Sequence, residues 1–451
     1  MNVWPYLLGF YMNKIRKIIS NLALIYLVSL FFFIWGMAVA KYKVFPWKHI
    51  NSIYLELDSY FNTKDVITKP IKDKILLDHQ EYPSKFNFSG FQVRDHDFPD
   101  TGYLLISEYS KNWGQVIVKL FSISEGAVIY TWIPPLSEIF KKATGDPGEF
   151  QTKATYPAQH PLLLEDGGLI FGSGEGPLVR IDACGSLTWL INRHFHHSIE
   201  IDHLGNLVVP VMMKNKNTKL PLDIRDDGFA IVSLNGKILE EYSVAEILLL
   251  NGYQGLIYGV GEMETDRIHL NDAQPILQNL VGSNIGDVAL SSRHLSTVLL
   301  VQPKTKKIKW LKTGPWLAQH DINILDDGKF SIFGNDIIRI PKNPGVFIED
   351  KDISNVYKYD PQNNSVERPY YEMMLKEQIA SSTQGRSKIL SNDDVFIEET
   401  NKGRLIRISK DKVRWEYISS ISPTTFGALH WSRYIPQNKI NLKWMEKLAC
   451  N

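Results

Sequence analysis

The chain predicts an all-β protein, a six-bladed β-propeller preceded by a single N-terminal transmembrane helix. Three observations carry this. From about residue 90 onward, short runs of alternating apolar residues are separated by turn signals, and no sustained helical period intervenes. Six of those runs share one layout that recurs along the chain. Near the N-terminus a charge-free apolar stretch is long enough to cross a bilayer.

Each repeat starts at a small residue, runs through an alternating strand and a turn, and ends on an aromatic. The six are Gly114–Trp132, Gly176–Trp189, Gly228–Tyr242, Ser296–Trp310, Ser354–Tyr370 and Gly403–Trp415, with starts 62, 52, 68, 58 and 49 residues apart. Each reads as the outer hairpin of a four-stranded sheet, preceded by a further strand pair such as Gly168–Gly172 or Phe330–Phe333. A twisted sheet must cover both faces, and neighbours in a ring do this for one another, whereas a sandwich needs no such period. The terminal aromatics are expected to fill the gaps between blades. Phe426–Pro436 is expected to return as a strand that latches the ring or lines its mouth.

Ile18–Ala40 holds 23 residues without a charge. Lys14, Arg16 and Lys17 precede it and Lys41 and Lys43 follow, so the charge bias is weak and orientation rests on the usual inside N-terminus of a first segment. The run exceeds a signal-peptide core, so an uncleaved anchor is expected, with cleavage after Ala38-Val39-Ala40 as the alternative. Either way the remainder is exported, as a single-pass membrane protein or a secreted one. The expected organisation is a short segment 1–17, an anchor 18–40, a connector 41–85 with a short helix near Trp47–Phe61, a propeller over 86–436 and a tail over 437–451.

The charges nearly cancel, 50 basic against 49 acidic, and no basic run is interleaved with aromatics, which argues against nucleic acid as a partner. Cys184 and Cys450 are too few for a disulfide scaffold or a CxxC metal site, and two free buried thiols are expected.

Of the twelve histidines, His49 and His79 fall in the connector, and His96 and His203 read as solvated turn residues. In the cluster His194, His196 and His197 only one need face inward. His160, His197 and His320 each lead an alternating strand and stand eight residues before a glycine, Gly168, Gly205 and Gly328. Inner strands of a propeller converge on an axis, so such a repeat gathers its histidines there. With His269 and Arg293 they form the candidate site. Three imidazoles can hold zinc with one position open, but no HExxH spacing is present and an arginine disfavours a cation. No cofactor is implied. Histidines with an arginine suit an oxyanion: the guanidinium is a planar, permanently charged fork, and neutral imidazole serves as nucleophile, base or acid near pH 7.

Four segments carry a resemblance. HLND (His269–Asp272), ALSSRHLSTVLLVQPKTKKIKW (Ala289–Trp310), QHDINILDDGKFSIFGND (Gln319–Asp336) and HHSIEIDHLGN (His196–Asn206) resemble the bacterial arylsulfotransferase family, over about residues 90 to 435. The resemblance implies a six-bladed propeller that moves a sulfuryl group from a phenolic sulfate ester to an acceptor phenol. It implies a ping-pong reaction through a sulfohistidine, without a nucleotide donor. His320 would be the nucleophile, Arg293 would bind sulfuryl oxygens, His269 would support the same charge or handle the phenol proton, and His197 would be the remaining channel histidine. The partners implied are the small-molecule donor and acceptor; a homodimer is compatible with the sequence. Periplasmic members of the family can carry a disulfide. The segment Asp272–Asn284 is long for the spacing between His269 and Arg293, and His430, with Ser432 and Arg433, reads first as part of a closing strand. Two other readings stand beside this one: a non-catalytic propeller that binds a ligand or protein, and a metal-dependent hydrolase in the same channel.

Overall fold

The computed structural model describes residues 20–37, 86, 88–143, 152–153, 155–214, 220, 224–259, 265–338, 346–347, 353–422, 425–448 and 450. The chain divides into two compact units, 1–74 and 75–451. In the first, Ser20–Met37 forms an 18-residue helix apolar enough to cross a membrane by length and composition. The short helix expected near Trp47–Phe61 lies outside the described residues.

The second unit is built of antiparallel sheets. One has the strand order Arg433–Ile435, Tyr103–Ser110, Gln115–Ser122, Ala127–Trp132. An eight-stranded sheet follows. It runs from Gln159–Leu163 through Leu169–Gly172, Gly176–Ile181 and Leu187–Phe195 to Leu207–Met212, Asp227–Val232 and Ile238–Ser243, and Glu200–Ile201 pairs with Leu207–Met212. Its two halves join only where Phe195 pairs with Val211. Two four-stranded sheets come next, Leu270–Pro275 to Lys307–Thr313 and Asp321–Ile324 to Ser365–Glu367. The last contains Arg386–Ile389, Val395–Glu399, Arg404–Ile408 and Val413–Ile418, with Gly90–Val93 as a fifth, outermost strand.

All six expected outer hairpins are present in these sheets. The hairpin from Asp321 shows why. Ile322 faces Ile332 and Ile324 faces Phe330 across the ladder, and the turn closes through Gly328 at φ +80°, a conformation that suits glycine. The Asp327 carboxylate accepts from the Lys329 N–H at 3.1 Å and fixes the turn.

Buried apolar clusters bridge each sheet to the next. Leu105, Val118 and Trp132 pack on Leu169, Phe171 and Val179. Ile170 and Leu178 pack on Leu207 and Val209, and Val208 and Phe229 on Leu290 and Leu299. Ala289 and Leu300 meet Ile322 and Phe330, and Phe333 and Val356 meet Val395 and Ile397. Phe396 and Leu405 then pack on Leu104 and Phe121, which returns the core to the first sheet and closes a propeller. The closing aromatics pack as expected. Trp132, Tyr370 and Trp415 are buried, and Trp310 packs edge-on against Phe330 and Tyr359.

Both ends of this unit close the ring. Arg433–Ile435 pairs with Tyr103–Leu105 as the innermost strand of the first sheet, as the sequence suggested for Phe426–Pro436. Gly90–Val93 pairs with the outer strand Val413–Ile418 of the last. The cysteine expectation is corrected: Cys184 and Cys450 form a disulfide, and no free cysteine remains. The tail folds back across the first two sheets, and Trp444 packs on Trp132 and over Gly167, where any Cβ would strike its ring. That return brings Cys450 to the turn after Gly176–Ile181. A separation of 266 residues left no spacing in the sequence to announce the pair.

Candidate functional site

The inner strands begin at one end of the channel, and the chain kinks as it enters them. His160, His197, His269, Gln384 and Trp431 all adopt left-handed backbone at φ between 49° and 61°. None is glycine, and such residues cost about 1–3 kcal/mol each, a cost that structures tolerate chiefly at functional sites. The entry to Asp321–Ile324 differs: Ala318 takes the left-handed position, at φ 49°, and His320 lies two residues beyond it.

Of the four residues to which the family resemblance gives a role, three come together as one cluster of rings. The His197 ring lies 5.2 Å from that of His269 and 6.0 Å from that of His320, centroid to centroid, with Trp431 5.8 Å away. Arg293, the fourth, is tied to the group through its backbone, its N–H donating to the His269 carbonyl at 3.0 Å. Its charge reaches His320. Burial, then the Arg293 guanidinium, hold the His320 imidazole well below its usual pKa, against the opposing bond to Asn335. His197 is likewise held low, by burial first and then by His196, His269 and His320.

His320 is almost fully buried and both ring nitrogens have partners. Nδ1 lies 2.7 Å from Asn335 Oδ1. The Asn335 amide is oriented by its Nδ2, which donates to the carbonyls of Ser381 and Gln384 at 2.7 Å each. Oδ1 can only accept, so the ring proton belongs on Nδ1. Nε2 therefore carries the lone pair, and it accepts from the Gln384 N–H at 3.0 Å.

His269 has a different partner. Its Nδ1 bonds to the Asp266 carboxylate three residues upstream, and its ring stacks on His294 at 4.3 Å. Asp266, His269 and His294 offer donor atoms within 4.8 Å of one another, a spacing that a metal ion could use. The chemistry of the set fits an ion poorly. Both nitrogens of His294 are engaged, Nδ1 with the Asp266 carbonyl and Nε2 with Arg293 Nη1 at 2.9 Å, and that guanidinium would lie beside the cation.

His160 departs from its sequence look-alikes. It is fully buried, its Nδ1 accepts from the Ile199 N–H at 2.8 Å, and its Nε2 is bonded by Arg386. It belongs to a layer of charges further along the inner strands. There Arg433 Nη1 meets Glu200 at 3.2 Å, Arg386 approaches Asp321 at 3.7 Å, and burial, then Asp321, push the Asp272 carboxyl well up. Glu200, Asp272 and Asp321 lie among Arg386, Arg433 and Lys388 in this layer. His196 is buried under His197, with 3.0 Å between their Nδ1 atoms, and faces Asp227. His430 precedes the closing strand, whose Arg433 joins that charged layer.

Sequence reasoning missed Asp266, His294, Asn335, Gln384 and Trp431. Asp266 stands one helical turn before His269 in DRIH, a spacing that could have marked it. Asn335 lies one position beyond the point that the hairpin register, Asp321 to Phe333, sets opposite His320, so register alone does not single it out. Gln384 and Trp431 become visible only once the blades are aligned.

The sequence model of the family described as "Arylsulfotransferase (ASST)" matches residues 158–420. No curated protein sequence matches the chain. Among solved structures, a protein of unknown function from Bacteroides caccae is 12% identical, with 74% of this chain and 99% of that one covered and a TM-score of 0.46. The periplasmic gluconolactonase of Pseudomonas aeruginosa is 11% identical over 74% and 99% of the two chains, at a TM-score of 0.40. The Swd1 β-propeller domain of Myceliophteria thermophila is 6% identical over 77% and 90%, at 0.39. These likenesses carry no weight for activity. The family match spans more than half of the 451 residues and includes every histidine of the channel mouth along with Arg293, and by it the chain belongs to the arylsulfotransferase family.

Proposed function

We propose that this protein is a sulfotransferase that moves a sulfuryl group from a phenolic sulfate ester to an acceptor phenol through a sulfohistidine on His320. The observation that carries the reading is the state of that ring: proton on Nδ1, lone pair on Nε2, and the arginine charge of Arg293 beside it. In the first half-reaction Nε2 attacks sulfur, the sulfur–oxygen bond to the aryl group breaks, and the phenolate leaves with the electron pair. In the second, an acceptor phenol loses its proton and attacks the same sulfur, and the nitrogen–sulfur bond returns its pair to Nε2. Sulfuryl transfer, like phosphoryl transfer, passes through a loose transition state, so positioning and charge stabilisation dominate. Arg293 supplies that charge on the sulfuryl oxygens, and His197 and His269 line the approach. Gln384 holds Nε2 at rest and must yield it before attack.

The six-bladed count belongs to the same proposal, with the eight-stranded sheet read as two blades joined at Phe195 and Val211. So does export behind an N-terminal anchor, which the Cys184–Cys450 disulfide supports, since such bonds persist in oxidising compartments.

The test is turnover of a chromogenic aryl sulfate with and without an acceptor phenol, in the presence of a chelator. Chromophore release that depends on the acceptor and survives chelation is expected. Release that needs no acceptor and stops with chelator would point instead to a metal-dependent hydrolase at Asp266, His269 and His294, and no release to a binding propeller.

A pH dependence follows from the depressed pKa of His320. The nucleophile must be neutral, and a lowered pKa keeps it neutral further into acid. At pH 6 an imidazole of ordinary pKa would be about three-quarters protonated. The first half-reaction is expected to keep most of its neutral-pH rate there, measured as the pre-steady-state burst. A fall tracking an ordinary histidine would contradict it.

A further inference from the structure

His320 and His269 are neighbours with opposite kinds of partner. Asn335, a neutral amide, holds the Nδ1 of His320, and Asp266, a carboxylate, holds the Nδ1 of His269. A neutral partner fixes a tautomer without favouring the imidazolium. A carboxylate fixes the same tautomer and also stabilises the ring once it gains a proton on Nε2. We propose that Asp266 is the positioning residue of a dyad, fixing His269 as the base for the acceptor phenol, the second of the two roles the family resemblance leaves to that histidine. This rests on the sulfohistidine reading above.

Several features support the assignment. His269 has 17% of its side chain exposed, against almost none for His320, so it faces the side from which an acceptor arrives. Its ring lies one imidazole away from His320: both rings meet that of His197, at 5.2 and 6.0 Å. Burial raises the Asp266 carboxyl, but its hydrogen bond to His269 outweighs it, and the group is held below its ordinary value. The carboxylate is therefore ionised when the base is needed. The groups facing the dyad are His294, stacked on His269; Arg293 beside it; Arg225 and Asp227 near Asp266; and His197 and His320 on the channel side.

The step balances. The phenol O–H proton passes to His269 Nε2, the phenol oxygen bonds to sulfur, and the electron pair of the nitrogen–sulfur bond returns to His320 Nε2. The imidazolium of His269 then returns the proton to the next departing phenolate.

The test separates the half-reactions in the full-length chain in detergent. With 4-nitrophenyl sulfate, whose leaving group needs no acid, the burst of nitrophenolate reports sulfuryl transfer to the enzyme. Turnover with added phenols of graded acidity reports transfer away from it. Asp266→Asn is expected to slow turnover with an ordinary phenol about 100-fold, the lower end for general-base catalysis, and to slow the burst less than about 3-fold. The deficit should shrink as the acceptor becomes acidic enough to ionise unaided, and Asp266→Glu should recover at least about 10-fold of the loss. Equal loss in both halves, or a loss indifferent to acceptor acidity, would mean that Asp266 serves only the fold, and the dyad is wrong. Absence of a burst in the native protein would instead remove the sulfohistidine reading, and the dyad with it. If Asp266→Asn fails to fold, Asp266→Glu decides: a deficit that shrinks as the acceptor becomes more acidic supports the dyad, and one indifferent to acceptor acidity overturns it.

Discussion

His320→Ala is expected to lose at least about 10⁴-fold of acceptor-dependent turnover, the scale seen when a covalent nucleophile is removed, while its circular dichroism and thermal transition stay native-like. The fold should survive because the ring serves a site rather than the core. The substitution strands Asn335 Oδ1 and the Gln384 N–H, at about 1–3 kcal/mol for an unsatisfied buried group, within a ring closed by many independent sheet contacts. The burst should vanish with the turnover. Loss of turnover with the burst intact would mean that another residue carries the sulfuryl group, and full activity would remove His320 from the mechanism.

Arg293→Ala is expected to cost about 10²–10³-fold in the rate of sulfuryl transfer, the usual effect of removing a preorganised donor from a developing oxyanion. Arg293→Lys should recover only part of this, because an ammonium keeps the charge but lacks the planar fork that grips two oxygens. A second signature separates this from a general loss of structure. Arg293 helps to hold the His320 pKa down, so its removal should raise that pKa and move the acid limb of the burst toward neutral pH. Measured between pH 5 and 8, an unshifted limb in Arg293→Ala would show that the guanidinium does not face the nucleophile.

The fold was legible because its signals are local. Alternation such as Ile322, Ile324, Ile332 and its repetition at near-constant spacing need no tertiary information. The site was partly legible for the same reason: His197, His269 and His320 lead inner strands, and inner strands share an axis. The repeat over-reached at His160, which has the same offset to its glycine but is sealed by Arg386 and the Ile199 N–H. What lies opposite a histidine decides its chemistry: other sheets supply it for His160, the same hairpin for His320 and the preceding turn for His269. Asn335 and Asp266 look unremarkable in the chain, yet one gives its histidine a neutral amide partner and the other a carboxylate. The disulfide was illegible on the same grounds, since its two halves meet only after the tail has crossed the ring.

Ring closure also has a consequence for the timing of activity during biosynthesis. The innermost strand of the first sheet and the Trp431 wall of the pocket are made last, and Arg433 meets a Glu200 made 233 residues earlier. A chain whose last residues have yet to fold can form its early hairpins, but it cannot finish the pocket. The site is therefore complete only once residues beyond 430 are in place. Contacts of such long sequence separation also form slowly. The last residues made thus act as a licence, since no earlier portion of the chain holds a complete site.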